Sequence, residues 1–205
     1  METEGRFVLR ISCIKNGWEL VMHFKEIETK YDANNIKMSD FLTLVEALPI
    51  RKKLMVSSYD EYFTDKGGNF VRYRHHTDRG ELTIKRKLAA NSNTERVEVN
   101  LPTDGDNVKT VSAFLELLGY NPNFGIYKTC NIFWTGKVDL VYYVVYDMEL
   151  KEQRRFIEIE ADEDLEWESE DEAWEEIVKY EKMLEPLGIT PQHRLRKSLF
   201  EIFQK

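Results

Sequence analysis

Glu26, Glu28 and Lys30 alternate through the stretch Lys25-Glu-Ile-Glu-Thr-Lys-Tyr31. In a strand, residues two apart share a face, so these two carboxylates and the ammonium point together into one polar space. Ile27, Thr29 and Tyr31 build the opposite wall. A pair of carboxylates suits a hard divalent cation and a lysine suits an anion, and oxygen-ligated divalent metals commonly carry the phosphates of nucleotides. Phosphate handling is therefore the first chemistry to consider.

The pattern recurs late in the chain. Glu158 and Glu160 alternate with Ile157 and Ile159 in Arg155-Phe-Ile-Glu-Ile-Glu-Ala161. Side by side, the two strands would put four carboxylates in one cavity, where mutual repulsion raises pKa values or opens the site unless cations intervene. Strands of the same alternating kind supply the cations. Arg72, Arg74 and His76 share a face of residues 69–76, Thr83, Lys85 and Lys87 a face of residues 81–88, and Arg96 and Glu98 a face of residues 94–99. Lys128 lies on a later strand. Singly, each could be the solvated face of an ordinary antiparallel strand. Six strands with acids at the ends of the series and bases between them argue for one ionic interior.

The elements that must position these residues read as strands at short intervals. Residues 6–14 and 18–24 are apolar-rich and join near Asn16-Gly17, a two-residue hairpin signal. Ser39 is placed to cap a helix over 40–48, where Phe41, Leu44, Val45 and Leu48 fall at helical spacing. Strands follow near 54–64, 69–76, 81–88 and 94–101, separated by Gly67-Gly68 and Asp78-Arg79-Gly80. A helix over 106–118 ends at Gly119, and strands near 124–134, 137–148 and 154–161 complete the series. Ser169-Glu-Asp-Glu172 reads as a capping box before Trp174, Ile177, Val178 and Leu184. Thr190-Pro191 opens a last helix carrying Leu195, Leu199, Ile202 and Phe203.

With these residues in order, Glu26-Ile-Glu-Thr-Lys30 resembles the opening ExExK motif of the CYTH superfamily, the triphosphate tunnel metalloenzymes. That superfamily includes class IV adenylyl cyclases, thiamine triphosphatases and inorganic triphosphatases. Leu82-Thr-Ile-Lys85 resembles its LTxK strand, Arg96-Val-Glu98 its RxE strand and Phe156-Ile-Glu-Ile-Glu160 its closing EIE strand. Residues 118–124, with Lys128 and Gly136-Lys137, are similar to the cyclase and thiamine-triphosphatase branch. The ordered set covers about residues 18 to 200. Cys130 stands where the KxR motif has an arginine, Tyr143 where an aspartate often precedes the closing strand, and residues 147–155 where the family has a short glycine-containing turn.

The resemblance implies that Glu26, Glu28, Glu158 and Glu160 hold Mg²⁺ or Mn²⁺. It implies that Lys30, Arg72, Arg74, Lys85, Lys87, Arg96 and Lys128 bind a triphosphate, with Lys85 and Glu98 serving turnover. The substrate would be a nucleotide, thiamine triphosphate or inorganic triphosphate. Water as nucleophile makes a triphosphatase, and attack by a ribose 3′-hydroxyl makes a cyclase. Loss of turnover through Cys130 and Tyr143 leaves a binding module.

Composition is compatible with this reading. The 205 residues suit one domain over 1–205, with 1–17 an added strand and hairpin and 169–205 the C-terminal helices. A net charge of -8 argues against a sequence-independent nucleic-acid binder. Cys13 and Cys130 lack metal-ligand spacing and are expected reduced in a cytoplasmic compartment. No signal peptide or membrane-spanning apolar run is expected. P-loop, GxGxxG, GxSxG and HExxH motifs are absent, and His23, His75, His76 and His193 have no zinc-like spacing. The expected fold is α+β, an antiparallel eight- or nine-stranded β-barrel forming a tunnel with helices packed outside.

Overall fold

The structure, a computed structural model, describes residues 7–14, 17–23, 27–76, 79–87, 96–103, 108–162, 165 and 167–204, with side chains throughout except at 7–23, 85–87 and 96–98. These residues include ten strands and four α-helices. The strands are β1 (Phe7–Ile14), β2 (Gly17–His23), β3 (Glu28–Asp32), β4 (Lys52–Thr64), β5 (Phe70–His75), β6 (Gly80–Lys87), β7 (Arg96–Thr103), β8 (Asn121–Trp134), β9 (Val138–Asp147) and β10 (Glu152–Ala161). The helices are α1 (Met38–Val45), α2 (Val108–Leu117), α3 (Glu170–Met183) and α4 (Leu199–Phe203). The expected α+β class holds: β3 to β10 form the eight antiparallel strands, and β1 pairs with β2 in antiparallel fashion at the N-terminal end of the sheet order. β1 joins β7 in parallel, with Phe7 opposite Val97.

The chain divides into two compact units: 1–26, 58–126 and 203–205 in the first, 27–57 and 127–202 in the second. In the first unit the strand order is β2-β1-β7-β6-β5-β4, and the Ser58–Thr64 part of β4 lies beside the start of β8. There Tyr62 stacks on Phe124 at 4.7 Å between ring centroids. Val71 and Tyr73 alternate with Arg72 and Arg74 along β5, so one face is apolar. With Phe63, Leu82, Leu115 and Tyr120 they form a core that α2 covers. Gly119, at φ 89°, adopts the left-handed turn that ends α2, and the Tyr120 N–H returns to the Leu115 carbonyl at 2.9 Å.

In the second unit the order is β8-β9-β10-β3, and β4 runs beside β8, where Ser57 and Thr129 share a hydroxyl hydrogen bond of 3.1 Å. One face of these strands, including Val138, Leu140 and Tyr142 of β9 and Ile157 and Ile159 of β10, packs with Phe41 and Val45 of α1 and Ala173 and Ile177 of α3. Full burial of each aliphatic contributes about 1.5–3 kcal/mol. The isoleucines on either side of Glu158 therefore commit that carboxylate to the opposite face.

The edge of β3 is covered by the segment after α3. Leu195 N–H donates to the Lys30 carbonyl at 2.7 Å, and Tyr31 bridges to Arg194. Beneath this contact the buried Glu181 accepts from Arg194 Nε at 2.7 Å and from the Tyr31 hydroxyl at 2.6 Å. This backbone pairing also corrects the single last helix expected from Thr190. Pro191–His193 is one 3-10 turn, residues 194–195 extend along β3, and α4 begins only at Leu199.

Two caps differ from expectation. α1 starts at Met38 with Lys37 as its N-cap and no capping side chain, while the Ser39 hydroxyl donates instead to Asp40 Oδ1 at 3.2 Å. Ser169 does cap α3, accepting from Glu172 N–H at 3.2 Å, but the Glu172 carboxylate turns to Glu168 N–H at 2.9 Å.

Candidate phosphate and metal site

On the second unit, the ladder between β10 and β3 sets Glu158 opposite Lys30 and Glu160 opposite Glu28. Lys30 is 7% exposed and Glu158 8%. Desolvation of both is costly, and it is compensated by a Lys30 Nζ to Glu158 Oε1 contact of 2.9 Å. Glu28 Oε1 is farther from the same ammonium, at 3.8 Å.

Tyr143 on β9 is fully buried, and its hydroxyl donates to Glu158 Oε1 at 2.9 Å. Its pKa lies well above the ordinary phenol value, first because of burial and then because of the charges of Glu158 and Glu28. The phenol is therefore held as a donor at neutral pH. Phe156 stacks on its ring at 5.3 Å, and Lys128 Nζ of β8 sits 4.0 Å from the ring centroid as a cation-π contact. Cys130, half-buried, lies near enough to add to the Tyr143 shift. Tyr143, at the position where the resemblance expects an aspartate, thus hydrogen-bonds the closing-strand glutamate without adding a negative charge.

Sequence reasoning missed Asp139. It pairs with Glu160, which pairs with Glu28, so three half-buried carboxylates form a row across β9, β10 and β3. Opposed like charges on neighbouring strands destabilise a ladder unless a cation intervenes. The only signal in the sequence is one aspartate in the otherwise apolar run from Val138 to Tyr142. Among the described residues, no three His, Cys, Asp or Glu side chains are placed to hold a metal together. The donor set nevertheless fits a hard cation, because Mg²⁺ keeps several waters and uses only one or two carboxylates beside substrate phosphates.

The first unit carries a second charged network. Arg74 grips the fully buried Asp60 with both arms, Nε to Oδ1 at 2.7 Å and Nη2 to Oδ2 at 2.6 Å. Burial alone would lower the Arg74 pKa, but the Asp60 charge and hydrogen bonds outweigh it and hold the guanidinium above its usual value. Arg72 Nη2 donates to Thr83 Oγ1 at 2.8 Å and to Glu81 Oε1 at 3.1 Å. Its buried Nε has no hydrogen-bond partner among the described residues. His76 follows the end of β5, with its pKa lowered first by burial and then by Arg74.

Glu26 lies outside the described residues, as do the side chains of Lys85, Lys87, Arg96 and Glu98. For the last four, backbone register sets Lys85 opposite Glu98 and Lys87 opposite Arg96. The structure thus brings Lys30, Glu28, Glu158, Glu160 and Lys128 onto neighbouring strands of one unit, and Arg72 and Arg74 onto β5 of the other.

No family model and no curated protein matches this chain. Solved structures do share its fold. A conserved hypothetical protein of Pyrococcus furiosus is 25% identical, with a TM-score of 0.65 over 87% of this chain and 99% of its own. A protein of Pyrococcus horikoshii is 19% identical, with a TM-score of 0.66 over 86% of this chain and 98% of its own. A Bacillus halodurans protein proposed to be an adenylate cyclase is 16% identical, with a TM-score of 0.60 over 87% of this chain and 96% of its own. The chain has the α+β fold of these proteins across nearly their whole length.

Proposed function

We propose that this protein binds a small molecule bearing a triphosphate, together with Mg²⁺ or Mn²⁺, and hydrolyses one of its phosphoanhydride bonds. The observation that carries the reading is the buried Lys30–Glu158 pair beside the Glu28–Glu160–Asp139 row, all on a sheet face opposite a packed core. A sheet that served only as structure would gain nothing from burying these charges. In this reading Glu26, Glu28, Glu158 and Glu160 hold the metal. Lys30, Arg72, Arg74, Lys85, Lys87, Arg96 and Lys128 take the phosphates, Lys85 stays on the reacting phosphoryl, and Glu98 orients the attacking water. When bound, the metal would neutralise charge on phosphate oxygens, the usual electrostatic route in phosphoryl transfer.

Two further readings each have a specific support. The fold shared with a proposed adenylate cyclase leaves room for a cyclase making cyclic AMP and pyrophosphate from ATP, since fold alone does not select among functions hosted on it. The Lys128–Tyr143 contact, with Cys130 in place of an arginine, favours a nucleotide- or polyphosphate-binding module without turnover.

Incubation with ATP, thiamine triphosphate or inorganic triphosphate and either metal, with products resolved by ion-exchange chromatography, separates the three. Orthophosphate supports the hydrolase, cyclic AMP with pyrophosphate the cyclase, and binding without product the module. Absence of both binding and product rejects all three.

A further inference from the structure

A cavity of ≈ 500 Å³ opens on the core-packing face of the second unit, between the loop from β3 to α1 and strands β8, β9 and β10. That is the size of a small-molecule site. One part of its wall is apolar, from Ile36, Met38 and Val144. The rest is polar and carries two cations, Arg155 and Lys37, and no Asp or Glu.

Arg155 is pre-positioned. Its backbone N–H donates to Asn34 Oδ1 at 2.8 Å and its Nη1 to the Asn34 carbonyl at 3.2 Å, which fixes the guanidinium against the loop. Its other N–H groups meet no acceptor among the described residues, and neither Lys37 nor the half-buried Asn131 amide has a partner there. Tyr142 donates its hydroxyl proton to the Ile36 carbonyl at 2.8 Å, leaving its oxygen as an acceptor at the wall.

We infer that this cavity binds a small organic anion, one carboxylate or phosphate group on an apolar body. Arg155 and Lys37 meet the charge, Asn131 meets a polar substituent, and Ile36, Met38 and Val144 cover the body. Such a ligand satisfies a fixed guanidinium fork, whose geometry matches carboxylate and phosphate oxygens. The site is separate from the charged face that carries Lys30 and Glu158, so it stands whether or not a triphosphate binds there.

Benzoate and phenyl phosphate, with benzyl alcohol as the neutral control, test the inference by ligand-observed NMR titration of the whole protein. A saturating amount of inorganic triphosphate with Mg²⁺ is present in a parallel series. Both anions should bind at least about tenfold more tightly than the alcohol, with their order showing whether carboxylate or phosphate is preferred. Binding should persist with triphosphate and weaken about tenfold or more in Arg155→Gln. Because Arg155 also holds the loop, Val144→Trp supplies an independent variant that fills the cavity and should abolish binding. Failure of both anions to bind, displacement by inorganic triphosphate, or unchanged binding in both variants would overturn it.

Discussion

The Tyr143 hydroxyl donates to Glu158 Oε1 at 2.9 Å, and the Lys30 ammonium reaches that same oxygen at 2.9 Å. One carboxylate oxygen thus holds together β9, β10 and β3 through a neutral donor and a charged one. Removing the neutral donor tests whether Glu158 depends on it. Tyr143→Phe keeps the ring that stacks on Phe156, so the loss should be confined to the hydrogen bond and cost about 1–3 kcal/mol in urea unfolding at pH 8.

The same substitution has a signed pH effect. Tyr143 is raised above its ordinary value of 10.0, so the folded state binds the phenolic proton more tightly than the unfolded state. Its contribution is present below pH 10 and is lost as pH climbs above it, at up to about 1.4 kcal/mol per pH unit. Tyr31, also raised, first by burial and then by its bond to Glu181, acts with the same sign. Wild type should therefore lose stability faster than Tyr143→Phe above pH 10. Parallel profiles would show that the phenol is not held protonated by its surroundings.

Arg74 and Asp60 form the tightest described pair of the first unit. Asp60→Asn leaves a desolvated guanidinium without its counter-charge and should cost about 3–5 kcal/mol by chemical unfolding. The double change Asp60→Leu with Arg74→Met should recover much of that loss, since a buried pair and an apolar pair of similar size differ little. A single variant as stable as wild type would mean that water reaches the pair freely.

Much of the architecture was legible because alternation is strict where one face is buried. In β10 the Ile-Glu-Ile-Glu pattern and in β5 the Val-Arg-Tyr-Arg pattern can be read only one way. In β9 it fails: Val138 to Asp147 is apolar or aromatic at nearly every position, so alternation does not mark Asp139, and Tyr143 is singled out only by the resemblance, as a departure from it and not as a donor to Glu158. Their roles depend on register with β10, and the partner of Arg74 likewise depends on register with β4. Hydropathy does not encode such pairings. The last helix was misread because its opening signals are genuine, while the pairing of Leu195 with Lys30 is a long-range contact that overrides them.

The proposed metal role of the carboxylate row can be tested by substitution. Glu28→Gln removes one hard oxygen ligand next to Glu160, and Glu158→Gln removes the charge that Lys30 balances, so each should weaken Mn²⁺ binding by calorimetry. Unchanged affinity in both variants would remove the assigned metal roles.

Cys130 offers a gain-of-function test. It is half-buried beside Tyr143 at the position where the resemblance expects an arginine. Cys130→Arg should add a charge-assisted phosphate contact of about 1.5–3 kcal/mol, tightening inorganic triphosphate roughly tenfold or more. A folded variant with no gain would show that this strand does not face the phosphates.

The central claim is that separately placed cations recognise a chain of phosphates, which one phosphate cannot span. Calorimetric titration of inorganic triphosphate and orthophosphate in Mn²⁺, on wild type and on Arg72→Ala, measures it directly. Arg72 is chosen because its buried Nε has no described partner and its loss leaves the Arg74–Asp60 pair in place. The account predicts triphosphate binding at least about a hundredfold tighter than orthophosphate, with Arg72→Ala weakening triphosphate far more than orthophosphate. Equal affinities for the two anions, or triphosphate binding untouched by Arg72→Ala, would contradict it.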